Sequence, residues 1–250
     1  GAIELTATNN VYQPDEGATI RIGDGVTLDV SGIWTNPWRE AGAPAPALDG
    51  GRIALSAQSR SESGAYLTQG RVALGAGAAL RADGGATLGR DGKPVYGRGG
   101  KLALAAATLT GVGQAEWSAL GVQRGGALAL TARDVRVADV PDAGAALQLR
   151  PGFFTRGGMA DYQLSAYDTL EIAPGAQLAP RVAHRELDGD FALRASDAAL
   201  ADFSRVIVRD DFVREAATLE LAAAHSGVGT GTLKIGAGAR VEVDPGAAIR

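Results

Sequence analysis

The stretch "GRIALSA", residues 51–57, decides the fold because its aliphatic residues alternate with polar or small residues behind an opening glycine. A period of two places successive side chains on opposite faces of a β-strand. Ile53 and Leu55 therefore face one way, toward a core, whereas Arg52 faces the other way. The pattern predicts a short β-strand at these residues.

The same phrase recurs as "GRVALGA" from Gly70, "GKLALAA" from Gly100 and "GALALTA" from Gly126, with looser copies at residues 1–7 and 217–223. Repeats at intervals of roughly 20 to 30 residues form units that cannot bury their own apolar face and must stack on one another. The expected fold is an all-β, right-handed parallel β-helix, a solenoid in which aliphatic residues of successive copies stack.

A second type of strand follows many of these copies, and "DGVTLDVSG", residues 24–32, is its clearest example. We expect one further layer of the solenoid that begins with Val26, Leu28 and Val30. Its later members would be Leu80, Leu109, Val135, Val137, Leu170, Ile172, Leu233 and Ile235. Glycine pairs between the strands predict tight turns.

A β-sandwich is the structural alternative, since regular short strands with turn signals also describe that class. It calls for two-residue hairpin turns such as Asn-Gly, which the sequence lacks. A sandwich also gives no reason for one phrase to restart repeatedly, so the β-helix is favoured.

The composition limits the function classes. The chain has 250 residues, no cysteine and a formal net charge of -4 with scattered basic residues. A disulfide framework and thiolate metal sites are excluded, and no basic stripe is available for nucleic acid. We expect no cofactor, and any export signal would lie outside these residues.

Three segments interrupt the repeats, at about residues 33–51, 85–99 and 181–190. Insertions in a solenoid leave the stack as surface loops, where binding concentrates. Trp34 and Trp38 lie in the first, which is rich in proline and alanine. Two interpretations stay open: an exposed platform that binds a sugar or a protein, or rings that fold back to cover the core.

Several motifs together resemble a known family. These are "LDVSG" followed by an aromatic residue, "DGGRIALSA" from Asp49, and "FTRGG" from Phe154 leading to "LEIAPG" from Leu170. They are similar to motifs of the large filamentous-haemagglutinin-like exoproteins of Gram-negative bacteria. The resemblance covers most of the chain from about Ala18 to Pro180.

The resemblance implies a secreted or cell-surface β-helical shaft that supports adhesion or contact between bacteria. It also implies passage through an outer-membrane two-partner-secretion transporter, with a host or bacterial surface glycan or protein as a further partner. The family's N-terminal secretion module carries Asn-Pro motifs, whereas Asn36-Pro37 lies inside the tryptophan segment. We therefore expect a single shaft segment, residues 1–250, of a longer chain.

Enzymatic activity is the remaining alternative, because parallel β-helices also host polysaccharide lyases and hydrolases with clustered carboxylates. The best candidates are Asp210 and Asp211, between Arg209 and Arg214. Adjacent residues of a strand face opposite sides, so the pair would share a face only in a turn. No catalytic residue is therefore assigned.

The two histidines, His184 and His225, are too far apart in sequence to predict a pair of metal ligands. The glycine-rich stretch from Gly227 lacks the Gly-Lys-Ser/Thr ending and the following helix of a phosphate loop. The sequence therefore predicts no metal site and no phosphate site.

Overall fold

The computed structural model describes residues 1–10, 17–38, 48–61, 64–66, 69–140, 145–196, 198–224 and 230–250. Within them the regular structure is almost entirely β-strand, which confirms the all-β prediction. In chain order the strands are β1 (Ala2–Asn10), β2 (Thr19–Ile22), β3 (Thr27–Asp29), β4 (Trp34–Thr35), β5 (Arg52–Ser61), β6 (Gly64–Tyr66), β7 (Arg71–Leu74), β8 (Ala79–Arg81), β9 (Ala86–Leu88), β10 (Pro94–Tyr96), β11 (Lys101–Ala105), β12 (Thr108–Thr110), β13 (Glu116–Ser118), β14 (Gly126–Val137), β15 (Leu147–Leu149), β16 (Met159–Ile172), β17 (Gln177–Leu178), β18 (Ala183–Leu187), β19 (Ser204–Val208), β20 (Thr218–Ala223), β21 (Thr232–Ile235) and β22 (Arg240–Val241). Short 3₁₀ helices cover Pro151–Thr155, Phe191–Leu193 and Leu200–Phe203.

The repeated phrase builds the largest sheet. Its main path runs β1-β5-β11-β14-β16-β20, and every neighbouring pair on this path is parallel. Ile53 lies opposite Leu102, which in turn lies opposite Leu128, and all three are buried. The phrases at residues 1–7 and 217–223 join the same sheet in register, as the sequence pattern indicates.

The short, even interval predicted between stacked copies is wrong for most of this sheet. Lys101 aligns with Ala127, but Asp161 aligns with Thr218, so the intervening chain is more than twice as long in the second case. The phrase from Gly70 is also not a member, because β7 pairs with β2 and β12 in a second sheet. Its strand therefore stacks on a different face of the molecule from the other copies.

The single layer predicted from Val26, Leu28 and Val30 is divided among sheets. In a third parallel sheet, β3-β8-β13, Leu28 and Trp117 both lie opposite Leu80. Leu109 belongs to the second sheet, whereas Val135, Val137, Leu170, Ile172, Leu233 and Ile235 lie in the first. Most members of the predicted layer are buried, but Val26, Leu233 and Ile235 are exposed, so the prediction is wrong for these three residues. Period-two patterning also does not say which strand pairs with which.

Close approach of successive strands explains the glycine that opens each phrase. The backbone N–H groups of Arg52, Lys101 and Ala127 donate to the carbonyl oxygens of Gly1, Gly51 and Gly100. A Cβ at Gly100 would collide with the carbonyl oxygen of Gly51, and one at Gly126 with that of Gly100. Glycine is therefore required at these opening positions, because the neighbouring strand leaves no room for a Cβ.

The segments predicted as loop insertions contain strands. β4 pairs with β9 in parallel, and β9 forms an antiparallel hairpin with β10. β18 pairs antiparallel with β19. Of the first segment, residues 39–47 lie outside the described residues. Edges of strands need hydrogen-bond partners wherever water is excluded, which favours pairing over irregular loops.

The helices of the described residues are short 3₁₀ helices, and none of them has the length and apolar character needed to span a membrane.

Candidate functional site

Trp34 is buried, with 1% of its surface exposed. Its indole contacts the rings of Phe191 and Phe203 edge to face, with centroids 6.2 and 5.5 Å away. The neighbouring Asn36 donates from Nδ2 to the carbonyl oxygens of Ala192 and Arg194, at 3.0 and 2.9 Å. Trp34 is therefore not part of an exposed platform, because its ring is buried in a small hydrophobic cluster with Ala86, Leu88 and Phe203 that is separate from the main core.

Trp38 is different, since 63% of its surface is exposed. Its indole Nε1 donates to the carbonyl oxygen of Gly89 at 3.0 Å, next to the turn of the β9–β10 hairpin. One edge of the ring is thus anchored while much of the side chain meets solvent. The structure separates the two tryptophans, and only Trp38 offers an accessible aromatic surface.

Asp210 and Asp211 lie in a turn, in which the carbonyl oxygen of Asp210 accepts hydrogen bonds from the N–H groups of Val213 and Arg214. Arg214 Nη2 lies 2.6 Å from Asp211 Oδ1 and 2.6 Å from Asp244 Oδ1. Bonding to Arg214 holds the pKa of Asp244 below its ordinary value. Asp211 and Asp244 act as partners of one buried guanidinium, which gives the cluster a structural role.

The histidines do not meet other metal-ligating groups within the described residues. His184 is fully buried in β18, and burial, followed by the charge of Arg209, lowers its pKa. His225 lies outside the described residues. No three His, Cys, Asp or Glu side chains of the described part of the chain come close enough to hold a metal ion.

Beside His184, an ion pair ties the third interrupting segment to the core. Arg185 Nη2 lies 2.8 Å from Asp83 Oδ2, and both side chains are largely buried. Asp83 Oδ1 accepts hydrogen bonds from the Leu120 N–H at 2.8 Å and from the Ser118 hydroxyl. With both carboxylate oxygens engaged, Asp83 serves to anchor β18 against the stacked sheets.

A concave surface with polar groups that have no assigned role lies around the motif "RPGFFTRGG", residues 150–158. A cleft of about 880 Å³ is lined there by Arg150, Phe153 and Arg156, and on its opposite walls by Glu116 of β13 and Arg136 of β14. The motif therefore forms one wall of a cleft on the side of the stacked sheets.

Aromatic packing holds this wall in place. Phe154 is completely buried, and its carbonyl oxygen accepts a hydrogen bond from the Tyr162 hydroxyl at 3.1 Å. Burial raises the pKa of Tyr162, so the hydroxyl stays protonated and able to donate. Phe153 contacts both Phe154 and Trp117 edge to face, at 5.4 and 6.1 Å. Phe153 is half-buried, and its ring packs on the core on one side and lines the cleft on the other.

Glycines complete the motif. Gly157 and Gly158 have φ values of 72° and 73°, in the left-handed region that favours glycine. Their carbonyl oxygens accept hydrogen bonds from the N–H groups of Ala119 and Gly126, at 2.7 and 3.1 Å. The chain can therefore turn sharply after Arg156 and enter β16 directly.

The charged groups of the cleft differ in how they are paired. Glu116 is bound by Arg81 at 2.9 Å, and Arg136 lies 3.6 Å from Glu171. Arg150 and Arg156 are exposed and form no ion pair with any described residue. The cleft therefore presents two exposed guanidinium groups that are not paired with any carboxylate of the described residues.

In the sequence, "FTRGG" contributes only to the family resemblance and predicts no role for its residues. A usable signal was present, because two adjacent phenylalanines stand between two arginines in a chain with only 5% aromatic residues. The Asp139 side of the cleft comes from the end of β14, and nothing in the sequence pattern indicates that it lies near Phe153.

Together the described residues form an all-β protein with mainly parallel strand pairing and a cleft built around the motif at residues 150–158. Comparison of the chain with protein-family models, with curated proteins and with solved structures found no match. A proposal for the function of this chain therefore rests on the contacts and chemistry of its described residues.

Proposed function

We propose that this chain is a right-handed parallel β-helix that serves as a shaft segment of a secreted, filamentous-haemagglutinin-like exoprotein. In this role it supports adhesion or contact between bacteria and carries out no catalysis. The observation that carries the proposal is the shared register: six strands of the largest sheet pair in parallel, with aliphatic residues opposite one another.

The order in which the sheets are visited supports a helical path. The chain passes from β1 to β2 and β3, and then returns in β5, β7 and β8, each beside its counterpart. A third passage adds β11, β12 and β13 in the same order. A β-sandwich would require mainly antiparallel neighbours, so the pairing favours the solenoid.

A shaft needs stiffness along its length, and stacked strands supply it. Each strand of a parallel stack forms hydrogen bonds with the strands on both sides, and aliphatic side chains fill the interior. The absence of cysteine is compatible with passage of an unfolded chain through an outer-membrane transporter. Stability after passage then comes from hydrogen bonds and burial of apolar surface.

Export provides the direct test. The chain is fused behind a two-partner secretion module and expressed with the matching transporter, and a culture without the transporter is the control. We expect protein in the medium that resists limited proteolysis, except at exposed turns. Retention in the periplasm, or secretion as a protease-sensitive chain, would contradict the proposal.

A second candidate function, recognition of a glycan or protein, is favoured by the exposure of Trp38. Binding to a glycan array that disappears in Trp38→Ala would support it. Phe212→Ala is the matched control, because Phe212 is an even more exposed aromatic residue in a different turn. Equal binding by the wild type and Trp38→Ala would exclude the role of Trp38.

A further inference from the structure

We propose that the cleft formed by Arg150, Phe153 and Arg156 binds a saccharide that carries carboxylate groups, such as an oligosaccharide of uronic acids. This site goes beyond the shaft function and does not depend on it. The inference rests on what this one cleft brings together: two arginines with no ion pair to a described residue, a partly accessible aromatic ring, and polar side chains that can donate and accept hydrogen bonds.

The arginines select for negative charge. Arg150 and Arg156 flank the 3₁₀ helix Pro151–Thr155, and both line the cleft without an ion pair to any described residue. A guanidinium group presents a planar set of donors that matches the two oxygens of a carboxylate. Binding of an anion here would use donors that the fold leaves to solvent.

The aromatic ring selects for an apolar face. Phe153 is half-buried and held between Trp117 and Phe154. A ring fixed in this way loses little conformational entropy when a ligand packs on it. The C–H face of a pyranose has the size and polarity to pack on such a ring, whereas a small inorganic anion has no apolar face.

The remaining polar groups favour a ligand that also carries hydroxyl groups. Asp139 lines the same cleft and would disfavour a carboxylate placed directly against it, so this part of the wall favours the hydroxyl groups of a ligand. It would accept hydrogen bonds from hydroxyl groups, and the exposed Gln114 amide offers both a donor and an acceptor. Carboxylates, hydroxyl groups and an apolar ring face occur together in uronic acids.

The geometry of the wall is fixed before any ligand arrives. Phe154 is buried, its carbonyl oxygen is bound by Tyr162, and the carbonyl oxygens of Gly157 and Gly158 are also hydrogen-bonded. The two arginines therefore extend from a backbone that needs no rearrangement. Preorganisation of this kind lowers the entropic cost of binding.

The test measures binding of trigalacturonate to the purified chain by isothermal titration calorimetry, at low and at physiological salt. We expect binding by the wild type and an affinity about tenfold or more weaker for the double variant Arg150→Gln, Arg156→Gln, because charge-assisted hydrogen bonds are lost. Phe153→Leu keeps an apolar side chain but removes the ring, and should also weaken binding.

The matched control is the double variant Arg21→Gln, Arg71→Gln, which removes the same charge from exposed positions on β2 and β7. It should bind like the wild type. Far-ultraviolet circular dichroism and thermal midpoints establish that each variant is folded before titration. Maltotriose tests for a neutral sugar, and triglutamate tests for an acidic peptide.

Three results would overturn the proposal. The first is no trigalacturonate binding by the folded wild type. The second is an equal loss of affinity in the cleft variant and the control variant, which would indicate only a general charge effect. The third is binding of triglutamate or maltotriose as tight as that of trigalacturonate, which would assign the cleft to a different ligand class.

Discussion

Gly100 shows, at the scale of one residue, how little space separates successive strands. Its carbonyl oxygen accepts a hydrogen bond from the Ala127 N–H, and a Cβ on it would collide with the carbonyl oxygen of Gly51. The opening glycine of the repeated phrase is thus explained by a steric contact between neighbouring strands. No turn conformation is needed to account for it.

We therefore expect Gly100→Ala to lower the free energy of unfolding by about 1–3 kcal/mol, because a methyl group must displace packed backbone. Chemical denaturation monitored by circular dichroism measures the loss. Gly189→Ala is the matched control, since a Cβ there meets no atom within 4 Å. Equal stability of the two variants would contradict the steric explanation.

His184 makes stability depend on pH. Burial first, and then the charges of Arg209 and Arg214, lower its pKa in the folded state. The unfolded chain has the ordinary value of about 6.5 and so binds the proton more readily. Since the unfolded state takes up more protons, stability falls as the pH drops below about 6.5 and continues to fall until the folded pKa is reached.

The variant His184→Leu should flatten this dependence between about pH 7 and pH 5, above the range in which most carboxylates titrate. The measurement is the free energy of unfolding at several pH values for both proteins. His225 is present in both proteins, so the difference between their curves isolates His184. Parallel curves would show that His184 has no part in the pH dependence.

At the scale of elements, the turn at residues 209–214 is held to the segment before Pro245 by one buried ion pair. The side chains of Arg214 and Asp244 are only 4% and 3% exposed, and Arg181 also lies 3.2 Å from Asp244. A buried guanidinium that loses Asp244 is costly, because the remaining carboxylate, Asp211, is exposed and bonds only Nη2, which leaves Nε without its acceptor.

Asp244→Ala should therefore lower the free energy of unfolding by about 3 kcal/mol or more. The control is Glu4→Ala, which breaks the exposed pair with Arg52 and should cost less than about 1 kcal/mol. Thermal denaturation of both variants gives the comparison. A small loss in Asp244→Ala that matches the control would mean that solvent reaches Arg214 freely.

Element by element, the sequence predicts strands well and their partners only in part. Alternation identifies the inward residues of β5, β11 and β14, and repetition indicates that these strands pair. It assigns β7 to the wrong sheet, because "GRVALGA" has the same local pattern as its neighbours in sequence. Local pattern indicates which side of a strand is buried, whereas its pairing depends on contacts with residues that are distant in sequence.

The candidate site was harder to predict. The two tryptophans are close in sequence, yet Trp34 is buried against Phe203 and Trp38 is exposed beside Gly89. Phe203 lies far along the chain, so nothing near Trp34 in sequence indicates its burial. The walls of the cleft likewise come from segments that are distant in sequence and meet only through strand pairing.

At the scale of the whole molecule, most strand pairs join residues that are far apart along the chain. In the largest sheet Ala2 lies opposite Arg52, and Asp161 lies opposite Thr218. Closing such long loops costs entropy before the contacts are gained. Folding should therefore be slow compared with a helical protein of this size.

We expect refolding from guanidinium to take milliseconds to seconds or longer, as in proteins dominated by non-local pairing. Stopped-flow circular dichroism measures the rate, and addition of a metal chelator or a thiol reductant should leave it unchanged. Refolding within microseconds would contradict the predicted dependence on distant pairs.

The unequal spacing between aligned strands has a consequence for variation and engineering. Register is kept although the chain that leads from Asp161 to its partner Thr218 is more than twice as long as the chain from Lys101 to Ala127. The length of a connector therefore does not alter the distance between the two strands it joins, which is about 4.8 Å for neighbours in a sheet. Foreign peptides grafted into different connectors would therefore be separated by multiples of this strand spacing along the sheet.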